Sequence, residues 1–173
     1  MNKKIIILIY CLLIAASTIF TACNTGGGRG VVINGVRWAA HNVDTSGTFT
    51  RNIEDAGGLF AFDEAQNACP RGWRLPTYEE LRSLVDAVGG EWTAQNGVNG
   101  RTFGTTPNQI FLPASGFRNT LGALSSVGFH GLYWSSSPDD INYAWFMQFG
   151  SGNTWIGINY RANAFSVRCV QEL

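Results

Sequence analysis

The strongest constraint on the fold is a pair of cysteines, Cys69 and Cys169, that stand 100 residues apart in the part of the chain able to bury a core. The other two, Cys11 and Cys23, belong to the N-terminal segment. That segment has the order of a secretory signal: Lys3 and Lys4, then an apolar run from Ile5 to Ala16, then small residues at Thr21-Ala22. It turns polar at Ser17, Thr18 and Thr21, short of the ~20 apolar residues a membrane-spanning helix needs. Cys11 would leave with the signal, so the exported domain meets an oxidising compartment where Cys69 and Cys169 either pair or stay as buried free thiols. A metal role for them is excluded by spacing. The chain has no C-x-x-C or H-x-x-x-H pair, and its two histidines, His41 and His130, are far apart.

Charge narrows the partners. Both lysines fall in the signal, so from Cys23 onward there are ten arginines against twelve acids and no basic excess to meet phosphates; nucleic acid is not an expected partner. Phe20-Thr21-Ala22-Cys23 resembles a bacterial lipobox, with Phe20 where leucine is usual. That resemblance implies lipidation at Cys23, and with it a membrane partner through a lipid anchor in the cell envelope, at the outer membrane. The expected organisation is a signal over 1–22, a glycine-rich tether over 23–30 and one domain over 31–173.

Within the domain, Val31 to Trp38 reads as two short strands around Asn34-Gly35, the strongest local hairpin signal. Phe62, Ala65 and Ala68 recur at helical spacing and predict a helix over 60–68, stopped by Pro70. Thr77-Tyr78-Glu79-Glu80 forms a capping box that opens a second helix, from about Tyr78 to Val88, before Gly89-Gly90. Residues 91–109 show no periodicity and predict a long loop. Short strands are expected at Ile110 to Leu112 and Leu132 to Trp134. A hairpin is expected from Tyr143 to Tyr160, and a last strand would carry Phe165, Val167 and Cys169 on one face. Two helices followed by many short strands indicate an α+β fold.

Five segments give a more specific reading: Gly58-Leu59-Phe60, Ala68 to Pro76, Leu112 to Arg118, Tyr133-Trp134-Ser135-Ser136 and Phe165 to Val170. In this order they resemble the Fibrobacter succinogenes major paralogous domain family, related to the C-type lectin-like fold. The resemblance covers 31–170. It implies two helices packed on a small twisted antiparallel sheet with long loops, and it supports a Cys69–Cys169 bridge between first helix and last strand.

The calcium-dependent sugar motifs of sugar-binding C-type lectins, Glu-Pro-Asn or Gln-Pro-Asp and Trp-Asn-Asp, are missing, and Trp134-Ser135-Ser136 offers hydroxyls where the last would stand. No metal or other cofactor is therefore expected. Catalysis is not expected either, because no serine lies in a nucleophile elbow and the late cysteines are a candidate pair. Trp134 and Phe165 read as core, and Arg74 and Arg168 as partners for acids such as Glu79 or Glu80. The candidate ligand surface is Arg118, Asn119, Asp139, Asp140, Asn142, Trp155, Tyr160 and Arg161, where glycine-rich turns combine with polar and aromatic side chains. The expected function is non-catalytic binding or adhesion toward glycan or a surface protein; the alternative is a structural subunit of a fimbria-like assembly.

Overall fold

The computed structural model describes residues 30–171; the secretory signal, Cys23 and the rest of the tether before Gly30 lie outside them. The opening hairpin forms as expected. Asn34 and Gly35, at φ 49° and 82°, turn β1 (Val31–Ile33) into β2 (Val36–Trp38), the geometry a type I′ turn requires. The predicted first helix shrinks to one turn. β3 (Phe60–Ala61) leads into α1 (Phe62–Ala65), and the N–H groups of Asn67 and Ala68 then bond three residues back, each at 3.2 Å, so the chain tightens and leaves the helix before Cys69-Pro70.

β4 (Trp73–Arg74) precedes α2 (Tyr78–Val85), whose capping box is complete: Thr77 Oγ1 accepts from the Glu80 N–H at 3.2 Å and Glu80 Oε2 accepts from the Thr77 N–H at 2.8 Å. The same carboxylate takes both ends of the Arg74 guanidinium at 2.7 Å, the acid partner expected for that arginine. Burial pushes the Glu80 carboxyl up, but the hydrogen bonds from Arg74 and Thr77 outweigh it and hold it below its ordinary value. The contribution of Glu80 is therefore present above the ordinary value of 4.5 and is lost as pH falls through the lower folded value. Glu80→Gln is expected to cost about 1–2 kcal/mol at pH 7 and to flatten the acid limb of a melting-against-pH curve. Wild-type melting of the variant across that range would contradict the assignment.

Residues 91–109 depart from the predicted loop. They build a meander of β5 (Trp92–Gln95), β6 (Val98–Thr105) and the start of β7 (Asn108–Pro113). Asn96 and Gly97, at φ 48° and 81°, repeat the turn of the opening hairpin. Gly100 interrupts the sequence alternation because a Cβ there would run into the Leu112 carbonyl and the Phe111 ring across the pair. The chain continues through β8 (Phe117–Arg118), β9 (Leu124–Ser125), β10 (Gly131–Pro138), β11 (Tyr143–Phe149), β12 (Thr154–Tyr160), β13 (Ala164–Phe165) and β14 (Val170–Gln171).

These strands form four antiparallel sheets, ordered β1-β2-β14-β4, β5-β6-β7, β3-β13-β8-β9 and β10-β11-β12. The last is the centre, because both its faces are covered. Leu132, Trp134, Ala144 and Phe146 pack on one side with Phe62, Ala65, Leu75 and Phe165. Tyr133, Met147 and Phe149 pack on the other with Leu81, Leu84, Phe103, Ile110 and Trp38. Trp134 and Phe165 are core, as expected, with their rings stacked at 4.1 Å between centroids.

The expected α+β, C-type lectin-like architecture is overturned. Among the described residues fourteen strands stand against helices of four and eight residues, and the fold is mostly β. The physical reason lies in the two places just described: a three-residue apolar spacing that sustains only one helical turn, and a glycine-rich stretch that conceals three paired strands. The last strand is also divided. Phe165 ends β13 in one sheet and Val170 begins β14 in another, with Ser166 to Cys169 buried between them.

Cys69 and Cys169 are joined as a disulfide, closing the segment after α1 onto the approach to β14. Arg168 next to it differs from expectation. Among the described residues it meets no carboxylate; its guanidinium donates to Asn42 Oδ1 at 2.9 Å and to the carbonyls of Ala39 and Phe111 at 3.0 and 2.9 Å, wholly buried.

Candidate functional site

The eight residues proposed from sequence do not form one surface. β12 runs between two concavities, and the candidates divide between its ends.

At the far end of β12, a concavity of about 310 Å3 is lined by Asn142, Tyr160 and Arg161 with Asp63, Thr120 and Ile141. Arg161 is committed here. It pairs with Asp63 on α1, reaches the carbonyls of Asp140 and Ile141 at 3.4 Å and lies 4.7 Å from the Phe62 ring centre. Its position fixes the β10–β11 turn against α1. Asp140 is engaged in the same turn, its Oδ1 accepting from the N–H groups of Asn142 and Tyr143 at 2.6 and 2.7 Å. The Asp139 N–H donates to the Tyr143 carbonyl at 3.0 Å. Arg118 and Asn119 shape the β8–β9 turn: Arg118 donates to the Gly122 carbonyl at 2.8 Å, and Asn119 Oδ1 accepts from Leu121 and Ala123, both at 3.0 Å. The Tyr160 ring is half exposed and lies 4.6 Å from that of Tyr143.

At the near end, Trp155 belongs to a different concavity, of about 350 Å3, lined by Phe129, His130, Gln148, Ser151 and Asn153 with the glycines of the β11–β12 turn. Its two aromatic members are open to solvent, Phe129 at 72% and Trp155 at 44% exposure. The indole keeps its place by packing edge-on against Phe146, at 5.3 Å, and by lying across Gly157, where a Cβ would collide with the ring. Between the aromatics stand an imidazole, two amides and a hydroxyl, groups able to donate and accept hydrogen bonds.

Sequence reasoning named Trp155 and passed over the rest of this groove. A signal for Phe129 existed, since it stands in Gly128-Phe129-His130 outside any strand or helix periodicity, where no core face claims it. In the sequence His130 stands out as a histidine distant from His41, and nothing local marks it as a groove residue. His41 is elsewhere: burial, with Arg168 nearby, holds its imidazole below its ordinary value. Among the described residues no group of three or more His, Cys, Asp or Glu side chains is placed to hold a metal ion.

The family model described as the Lcl C-terminal domain matches residues 32–171, nearly all of the described domain. The chain belongs to the Lcl C-terminal domain family. In this Lcl C-terminal domain the match includes both concavities, β12 between them and both cysteines of the bridge. No curated protein and no solved structure matches the chain significantly.

Proposed function

We propose that this protein is a non-catalytic binding module of the bacterial cell envelope, and that its Lcl C-terminal domain recognises glycan through the Phe129–Trp155 groove. One observation carries the reading: two solvent-exposed aromatic rings border a concavity whose polar lining is made of amide, imidazole and hydroxyl groups. A sugar ring has apolar C–H faces and a belt of hydroxyls that both donate and accept. Aromatic faces take the first, and Gln148, Asn153, His130 and Ser151 can take the second. The groove contains no carboxylate, so a calcium-bridged mode has nothing to build on there.

Anchoring through lipid on Cys23, at the outer membrane, is part of the same proposal and rests on the basic, apolar and small-residue order before that cysteine. The five ordered motif segments support the finer relation to the Fibrobacter succinogenes major paralogous domain family. The test is a glycan array probed with the full chain and with Trp155→Ala. The variant is expected to lose about 1–2 kcal/mol of stability, since the half-exposed ring gives up only its contacts with Phe146 and Gly157, and to lose most capture. EDTA is expected to leave wild-type capture intact. Undiminished capture by folded Trp155→Ala would reject the groove; loss of capture in EDTA would reject the metal-free mode.

A further inference from the structure

Among the described residues β12 is the edge of the central sheet, with β11 on one side and no strand on the other. At the opposite edge, β10 is bridged to Gly116 and Ser166. The hydrogen-bond phase of β12 follows from its two ends, where the Arg161 N–H donates to the Asn142 carbonyl and the Gly150 N–H to the Asn153 carbonyl. The register between them is unbroken, so residues 155, 157 and 159 bond to β11, while Thr154, Ile156, Ile158 and Tyr160 turn their backbone groups outward. Tyr160 is satisfied locally, by Asn159 Oδ1 at its N–H and the Asn163 N–H at its carbonyl. The backbone groups of Thr154, Ile156 and Ile158 face outward with no strand beside them. Protected edges carry charges, prolines or bulges; Thr154 to Tyr160 has none of these.

We propose that β12 pairs antiparallel with β12 of a second copy of this chain, about a two-fold axis at Ile156. The strand complements itself in that register. Ile156 meets Ile156 of the second copy and Thr154 meets Ile158, so three outward residues on each side exchange six hydrogen bonds. Trp155 falls opposite Gly157 of the second copy, over which that copy's own indole lies, so indole faces indole across the pair, and the absence of charge removes any like-charge repulsion between copies.

The pairing also bears on the binding site. Within one chain the two concavities are separated along β12 by about 20 Å. Trp155 and Gln148 lie on the same face of the sheet as Asn142 and Arg161. A two-fold axis perpendicular to the sheet keeps that face common to both copies, and it sets Gly152 and Asn153 of one chain opposite Tyr160 and Asn159 of the other. The Phe129–Trp155 groove of each copy thus continues into the Asn142–Arg161 side of its neighbour's concavity, while Tyr160 stands on the opposite face of the sheet. This continuity rests on the glycan reading, whereas the strand pairing does not.

The test is sedimentation equilibrium of the full chain in detergent, with amide hydrogen exchange across residues 150–161, for wild type, Ile158→Pro and Ile158→Lys. Ile158 is a safe position because its side chain is half exposed and its N–H does not serve β11. Wild type is expected to be a dimer whose 154, 156 and 158 amides slow by at least about ten-fold as concentration rises, with both variants weakening association by at least about ten-fold. A wild type that stays monomeric, a larger closed assembly, or a dimer whose 154, 156 and 158 amides exchange freely would overturn the proposal. None of these readouts involves sugar, so failure of the pairing and failure of the glycan reading are seen separately.

Discussion

Replacing Arg168 with methionine is expected to destabilise the domain by about 3–5 kcal/mol, despite the similar volume of the two side chains. The guanidinium is the donor for three buried acceptors: Asn42 Oδ1 and the carbonyls of Ala39 and Phe111. Ala39 and Asn42 lie in the connection just after β2 and Phe111 lies within β7, so one planar fork ties the segment before β14 to two parts of the chain that no shared sheet connects. Methionine would leave the acceptors desolvated and unpaired, at about 1–3 kcal/mol each before relaxation. Burial pulls Arg168 down to about 10, with nearby Tyr133 working the other way, so it remains charged at neutral pH. Lysine keeps the charge but cannot reproduce the fork, and Arg168→Lys is expected to recover only part of the loss. Urea unfolding of the three proteins decides this. A loss below about 1 kcal/mol in Arg168→Met would mean that other donors reach the acceptors.

Removing the bridge with Cys69→Ala and Cys169→Ala together is expected to cost about 2–5 kcal/mol. The two residues close a loop with a sequence separation of 100, for which the chain-entropy relation gives roughly 4.7 kcal/mol. The double alanine form leaves no orphan thiol, and Cys169 is fully buried in the core around Trp134, so a small packing loss adds to the effect. Thermal unfolding of the double variant beside wild type, with and without reductant, separates the contributions. Equal melting of oxidised and reduced wild type would show that the bridge does not restrain the unfolded chain.

Local signals with a mechanism were readable in the sequence. The Asn34-Gly35 hairpin, the Thr77–Glu80 capping box and the alternation in Tyr143 to Phe149 each depend on neighbouring residues alone, and all three are present. What was not readable depends on distant partners. The periodicity of Phe62, Ala65 and Ala68 fits a helix, but Phe60 and Ala61 are claimed by β13 more than a hundred positions later, and a single turn is left. Gly100 looks like loop composition until Phe111 and Leu112 come across the pair. Arg168 looks like an ion-pair partner because nothing local indicates that backbone carbonyls converge on it. The candidate site follows the same division. Exposure of Trp155 could be argued from its turn, but its partners Phe129 and His130 come from a segment that reaches it only through the pairing of β10 with β11.

The most direct measurement for the glycan reading is the dissociation constant of an array-identified oligosaccharide for wild type, Phe129→Ala and Tyr160→Ala. Phe129 is the more exposed of the two aromatic rings in the groove, so its removal tests binding with little effect on folding. Loss of an aromatic stacking surface of about 1–3 kcal/mol predicts roughly ten- to hundred-fold weaker binding by Phe129→Ala, with a smaller change in Tyr160→Ala. Unchanged affinity in folded Phe129→Ala, with binding abolished in Tyr160→Ala, would place recognition at the other end of β12 and contradict the account.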